Sequence, residues 1–177
     1  MKLVILDRDG VINEDAPDYV KSPDEWHPIP GSLEAIAKLH QAEWRIFVVS
    51  NQSAVGRGLI TLETLSKIHL KMDKALDDLG GRIDGLFFCP HTPAARCNCR
   101  KPKPGLLEDL AQRLRVKLTG VPFIGDTQKD VGAAKAVGAK PMLVLTGKGQ
   151  ATAQAKNFPA DVPVYEDLAA AVDSLLQ

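Results

Sequence analysis

Several things are scarce in this 177-residue chain, and each scarcity narrows what it can do. Aromatic residues make up only 5%, too few for a platform on which nucleic-acid bases would stack. Neither sign of charge dominates: Lys plus Arg and Asp plus Glu both number 22, for a formal net charge of zero. Bulk charge therefore suggests neither duplex nucleic acid nor an anionic membrane as a partner. No apolar run approaches the ~20 residues of a membrane helix. The one apolar run near the amino end is interrupted by Asp7 and Asp9, so no signal peptide is expected. The expectation is a cytoplasmic monomer without nucleic-acid or membrane partners. Cysteine is limited to Cys89, Cys97 and Cys99, all within eleven residues. An odd number so closely spaced argues against a disulfide framework and for a metal site. No repeat, low-complexity stretch or linker divides the chain, so residues 1–177 are expected to form one domain.

What is present is an alternation of short apolar runs and amphipathic stretches. Leu3–Leu6, Arg45 to Val49, Ile83 to Phe88, Val121 to Ile124 and Met142 to Leu145 read as buried strands. Ser32 is expected to cap the first helix, with Leu33, Ile36, Ala37 and Leu39 at helical spacing. Thr61 and Thr64 are rival caps for the next, whose Leu65, Ile68, Met72 and Leu76 share a face and which stops at Gly80-Gly81. Pro104 suits the first turn of a third helix. A fourth carries Asp130 and the small residues Ala133, Ala134 and Ala136, and a last one runs from about Tyr165 to Leu176. Residues 11–30 and 56–58 read as loops, the first long enough to cover the carboxyl edge of a sheet. This rhythm predicts an α/β fold, a Rossmann-like three-layer sandwich around a mostly parallel sheet.

The strand ends carry the chemistry. The first ends in Asp7-Arg8-Asp9-Gly10, the second in Ser50-Asn51, and the fourth in Gly125-Asp126, while the segment after the third leads to Lys101. Alone, Asp-x-Asp-Gly after a strand is also what a simple turn looks like. In a parallel sheet, however, these ends lie on one edge, where ligands of open α/β sheets bind. Carboxylates converging with a hydroxyl and a lysine suit a hard cation and a phosphate, and Mg²⁺ commonly takes one or two protein carboxylates.

Asp-x-Asp-Gly, a Ser after strand two, a Lys, and Gly-Asp-x-x-x-Asp, in that order, resemble the haloacid dehalogenase superfamily of phosphohydrolases over about residues 2–145. The resemblance implies that Asp7 is the nucleophile and Asp9 the general acid and base. It implies that Asp7, the Asp9 backbone carbonyl and Asp126 hold Mg²⁺, and that Ser50 and Lys101 steady the phosphoryl group. Lys103 is a rival for the lysine; the Cys-Asn-Cys-Arg-Lys-Pro context favours Lys101. Asp130 reads either as a partner of these groups or as a helix-surface acid.

Cys89, His91, Cys97 and Cys99 supply four soft or borderline ligands, which suits a closed, structural Zn²⁺ site over residues 89–99. Such an ion would pin the loop that delivers Arg100 and Lys101. With Asp7-Arg8-Asp9-Gly10, this loop resembles two bacterial branches of the superfamily, one acting on heptose bisphosphates and one on histidinol phosphate. Asn51-Gln52-Ser53 and Arg57-Gly58 resemble the heptose branch, which implies removal of the 7-phosphate of a heptose 1,7-bisphosphate. A phospho-ligand binding module without turnover is the non-enzymatic alternative. Asn51, Arg57 and Arg100 are candidate substrate contacts, the arginines for a second phosphate. Asp15, Asp18, Tyr19 and Lys21 are candidates for the sugar. The chain departs from the branch in its five-residue gap between His91 and Cys97, in Thr127 where some members carry Lys, and in Ser50 where Thr is frequent. No large insertion separates the motifs, so the site is expected to have a minimal cap.

Overall fold

The computed structural model describes residues 2–177. Six strands, β1 (Leu3–Leu6), β2 (Arg45–Asn51), β3 (Gly85–Cys89), β4 (Pro122–Gly125), β5 (Lys140–Val144) and β6 (Val164–Tyr165), form one sheet in the order β3-β2-β1-β4-β5-β6. Every neighbouring pair is parallel. The order reverses at β1, so the end of β1 opens at the switch point between β2 and β4, where doubly wound sheets bind ligands.

Successive residues of a strand point to opposite faces, and the apolar residues divide accordingly. Val4, Leu6, Ile46, Val48, Ile124 and Met142 pack on one face against Ile36 and Leu39 of α1 (Ser32–Gln41), Ile68 and Met72 of α3 (Leu62–Asp77), and Leu168 and Val172 of α7 (Leu168–Leu176). Leu3, Ile5, Phe47, Val49 and Phe123 pack on the other, against Leu107 and Leu110 of α4 (Gly105–Leu114) and Ala133 and Ala134 of α5 (Gln128–Ala136). Helices thus cover both faces, the three-layer arrangement expected. Residues 11–30 stay largely irregular, with one 3₁₀ turn at Pro23–Glu25, and are tied down by buried Val11, Ile12, Val20 and Trp26.

Some local expectations change. Gly31, with φ of +82°, rather than Ser32, stands at the cap of α1. Ser32 is buried inside the helix, and its hydroxyl donates to the Ile12 carbonyl at 2.6 Å, tying the long loop to α1. Thr61, not Thr64, caps α3, its hydroxyl oxygen accepting from the Thr64 N–H at 3.0 Å. Two short helices, α2 (Ser53–Gly56) and α6 (Gly149–Ala153), occupy stretches without helical periodicity. The last helix begins at Leu168 behind the Asp167 cap, and Tyr165 belongs to β6 instead.

Candidate active site

The site is built by turns that follow directly on buried strands. One residue beyond β1, the Asp7 N–H still donates to the Ile124 carbonyl at 2.9 Å, so its side chain starts from the rigid centre of the sheet. The chain then turns sharply: the Arg8 carbonyl accepts from the N–H groups of Ile12 and Asn13 at 2.8 and 3.2 Å. Gly10 makes the turn possible. Its φ is +82°, and a Cβ there would collide with the Asp126 carboxylate. Asp126 follows β4 and is gripped from a third strand end, because the Lys148 N–H, in the loop after β5, donates to its Oδ2 at 2.8 Å.

Lys101 arrives from the cysteine loop and is 2% exposed. Its ammonium lies 2.9 Å from Asp7 Oδ1 and 2.7 Å from Asp130 Oδ1, and donates to the Val49 carbonyl at 2.8 Å. The Asn51 side chain grips its backbone, accepting from the Lys101 N–H at 3.0 Å and donating to its carbonyl at 3.1 Å. Lys103 is exposed and donates to the Cys97 carbonyl instead. Asp130 is buried, not a surface acid. Its second oxygen accepts from the N–H and hydroxyl of Thr127 at 3.0 and 2.7 Å, in a capping box that starts α5.

The carboxylates of Asp7 and Asp130 thus share one ammonium, and Asp126 adds a third acid, with one oxygen from each of the three within 4.8 Å of the others. Burial, then Asp130 and Asp126, pushes the Asp7 carboxyl well above its usual range despite Lys101. Burial and Asp130 push Asp126 up to about 7. Burial raises Asp130 too, but Lys101 and the Thr127 bonds outweigh it and hold that group low. The two acids outweigh burial at Lys101 and raise it. Negative charge in excess, carried on hard oxygens, fits a divalent cation at Asp7 and Asp126.

Asp9 differs. Its Oδ1 accepts from Arg8 and Asn13 and its Oδ2 from Gln52. Burial raises its pKa, but Arg8 and these bonds bring it below the usual value. Its side chain is thus turned to protein donors rather than to the other carboxylates. Ser50 is 1% exposed, with its hydroxyl 2.8 Å from the same Gln52 amide.

Asp7, Asp9, Lys101, Asp126 and Asp130 line a cavity of about 260 Å³ with Asp15, Tyr19, Asn51, Ser53, Arg100, Lys129 and Lys148, while Ser50 lies behind this lining. A neighbouring cavity of about 290 Å³ shares Arg100, Lys101 and Lys129 and adds Arg96 and Lys103. A more open groove of about 520 Å³, along Glu14, Pro17, Ile29 and Thr146, shares Asp15 and Lys148 but none of the strand-end acids. Tyr19 hangs over the main cavity, its hydroxyl 3.5 Å from Ser53 Oγ and its ring 6.0 Å from the exposed Arg57 guanidinium. Asp18 is exposed and outside this lining, and its carbonyl accepts from Lys21 at 3.0 Å. Lys21 also lies 3.7 Å from Glu25. Sequence reasoning missed Gln52, Asn13, Lys129 and Lys148. Lys148 carried a usable signal, a Thr-Gly-Lys after the fifth strand, the same edge as the other groups.

Beside the site, Cys89 Sγ stands 3.6 Å from Cys97 Sγ and 3.2 Å from Cys99 Sγ, and His91 Nδ1 lies 3.2 Å from Cys99 Sγ. The helix α2 presses on this loop: the Gly56 N–H donates to the Pro90 carbonyl at 2.8 Å, and a Cβ on Gly56 would strike that carbonyl.

A parallel sheet whose switch point gathers acids, a buried lysine and a cation-ready carboxylate set defines a hydrolase of the phosphoryl-transfer kind. A family model described as "HAD-hyrolase-like" matches residues 98–171. The chain is 51% identical to the D-glycero-beta-D-manno-heptose-1,7-bisphosphate 7-phosphatase of Bordetella bronchiseptica, covering 100% of this chain and 99% of that one. It is 47% identical to the protein of the same name from Pseudomonas putida, covering 99% and 100%. A crystal structure of the Bordetella bronchiseptica D,D-heptose 1,7-bisphosphate phosphatase complexed with magnesium and phosphate superposes with a TM-score of 0.98, at 51% identity and coverage of 100% and 99%. The chain belongs to the haloacid dehalogenase superfamily of hydrolases, in the family that contains these bacterial phosphatases.

Proposed function

We propose that this protein is a magnesium-dependent phosphatase that removes the 7-phosphate from D-glycero-β-D-manno-heptose 1,7-bisphosphate through an aspartyl-phosphate on Asp7. The observation that carries it is the meeting of Asp7, Lys101, Asp126 and Asp130 at one sheet edge, in a chain 51% identical over its whole length to a phosphatase of that name. An Asp7 oxygen attacks phosphorus and the bond to the sugar oxygen breaks. Asp9, taking up a proton as the anionic substrate is bound, gives it to that oxygen and later takes one from the water that attacks phosphorus, releasing phosphate and restoring Asp7. Lys101, fixed by Asp130, holds the anionic nucleophile and phosphoryl group together, with Ser50 on the phosphoryl oxygens. Magnesium, held by Asp7, Asp126 and the Asp9 carbonyl, would supply the remaining positive charge when bound. Arg100 and Lys129, shared between two adjoining cavities, suit the second phosphate, with Arg57 on the rim. Asp15 and Tyr19 suit the sugar.

We read Cys89, His91, Cys97 and Cys99 as a structural zinc site. Thiolates around a tetrahedral zinc with ~2.3 Å bonds stand about 3.8 Å apart, close to the spacings above. Four protein ligands leave no open position, so the ion holds the loop that carries Arg100 and Lys101. Thiols gathered for a metal suit a reducing, cytoplasmic compartment. Residues 1–177 are read as one monomeric domain. Among the described residues no helix is long and apolar enough to cross a membrane.

A phosphate-release screen over the heptose bisphosphate, sugar monophosphates and histidinol phosphate tests the substrate. The heptose bisphosphate is expected to have the highest kcat/KM; a preference for histidinol phosphate would overturn the assignment. Asp7→Asn is expected to lose activity by about a thousandfold or more, and full activity would remove Asp7 as the nucleophile.

A further inference from the structure

Arg8 lies between the two aspartates, yet none of the roles above uses it. It is 0% exposed, and a buried cation is tolerated only when well paired. Its guanidinium is committed in two directions. Nε and Nη2 donate to Asp9 Oδ1 at 3.0 and 2.7 Å, and Nη1 lies 3.2 Å from His69 Nε2. Arginine can only donate, so Nε2 accepts and the imidazole proton sits on Nδ1. His69 projects from α3 and rests on the Phe88 ring, with centroids 6.1 Å apart and planes at 55°. A helix on the outer layer thus fixes the guanidinium, and the guanidinium fixes Asp9.

The two oxygens of Asp9 are treated unequally. Oδ1 accepts three N–H groups, two from Arg8 and one from Asn13 at 2.9 Å. Oδ2 accepts only the Gln52 amide, at 2.8 Å. A carboxylate offers roughly four acceptor positions, about two per oxygen. Oδ1 is therefore full, and Oδ2 keeps a free lone pair. The carboxylate is 24% exposed and lines the cavity.

We propose that Arg8, backed by His69, is a positioning residue that saturates Asp9 Oδ1 and so confines the transferred proton to Oδ2. This rests on the acid and base role given to Asp9 above. In the first half-reaction the O–H bond at Oδ2 breaks, and the proton passes to the departing sugar oxygen. In the second, a water O–H bond breaks and its proton returns to the same lone pair. Without Arg8 the proton can reside on either oxygen, and only part of the population presents it to the substrate. Phosphate binding does not involve Arg8, so the effect falls on turnover rather than on KM.

The test is steady-state kinetics on the heptose bisphosphate for Arg8→Met, His69→Leu and His69→Gln, with Asp9→Asn as reference. Arg8→Met is expected to lower kcat about tenfold or more and to leave KM within about twofold. His69→Leu lowers kcat by a smaller factor with the same unchanged KM. His69→Gln, whose side-chain oxygen can accept from Nη1, recovers most of that loss. A folded Arg8→Met or His69→Leu enzyme with undiminished kcat overturns the proposal, as does a loss that Gln fails to repair. Should Arg8→Met not fold, the two His69 variants decide by themselves. Asp9→Asn at full activity would instead bring down the acid and base role beneath it. Loss in Asp9→Asn with unaffected Arg8 and His69 variants strikes the positioning role alone.

Discussion

Asp7 and Asp130 are two carboxylates paired to one buried ammonium, that of Lys101. Removing the ammonium leaves both acids facing each other in a poorly hydrated place. Lys101→Met is therefore expected to lose about 3 kcal/mol or more of stability, read by urea unfolding, and about a hundredfold or more of activity, read by phosphate release. Asp126 sets a pH dependence. Its folded pKa of about 7 stands above the ordinary 3.8, so the folded, metal-free chain holds the proton more tightly than the unfolded chain. That contribution to stability is present in acid and is lost as pH rises toward and through 7. A cation needs the ionised form. Added magnesium should accordingly raise the Tm little at pH 5 and clearly at pH 8, measured on chelator-treated protein; an equal shift at both would contradict this. The residue types at these positions were legible as a strand-end pattern. The partner of Asp130 was not, because one helical turn after Asp126 a carboxylate can face either solvent or the core. Only the closure of the cysteine loop brings Lys101 to it.

The elements follow the same division. Helices α1 and α3 and strands β1 to β5 were legible because each carries enough apolar residues to show a period or a run. The two-residue β6 and the four- and five-residue helices α2 and α6 are too short to carry one, and they exist because neighbouring chain fixes their ends. The β6 pair is held by β5, through the register Leu143 with Val164 and Val144 with Tyr165. Caps were only partly legible. Ser32 has the chemistry of a cap, but the Ile12 carbonyl claims its hydroxyl and Gly31 takes the position. At α3, where Thr61 and Thr64 compete, the Thr61 oxygen receives the Thr64 N–H. Thr61→Ala is expected to destabilise the protein by about 1 kcal/mol with kcat unchanged, since the cap is exposed and outside the cavity lining. Denaturant unfolding and phosphate release measured side by side would check both halves.

At the scale of the molecule, function depends on one sheet edge and the loops drawn over it. The cysteine cluster, read above as a zinc site, lies in one of those loops, which runs from β3 to Lys101. Elemental analysis is expected to find about one zinc per chain. Stripping that zinc should lower the Tm and the activity together, and restored zinc should return both; a folded, fully active chain without zinc would refute the structural site. The sequence by itself determined the alternation of strands and helices, the α/β class, the acids at the strand ends and the close spacing of three cysteines and a histidine. These are local: they depend on side-chain period, on turn chemistry, and on which atoms can bind a cation. Only the tertiary structure decided the strand order that makes β1 the switch point, and the burial of Lys101 rather than Lys103. It also decided that Arg8 turns inward to Asp9 and His69, and that Gln52 joins Asp9 to Ser50. Those choices rest on contacts between residues far apart in the chain, such as Lys101 with Asp7, Gln52 with Asp9 and Arg8 with His69, whose partners exist only once the sheet has closed around them.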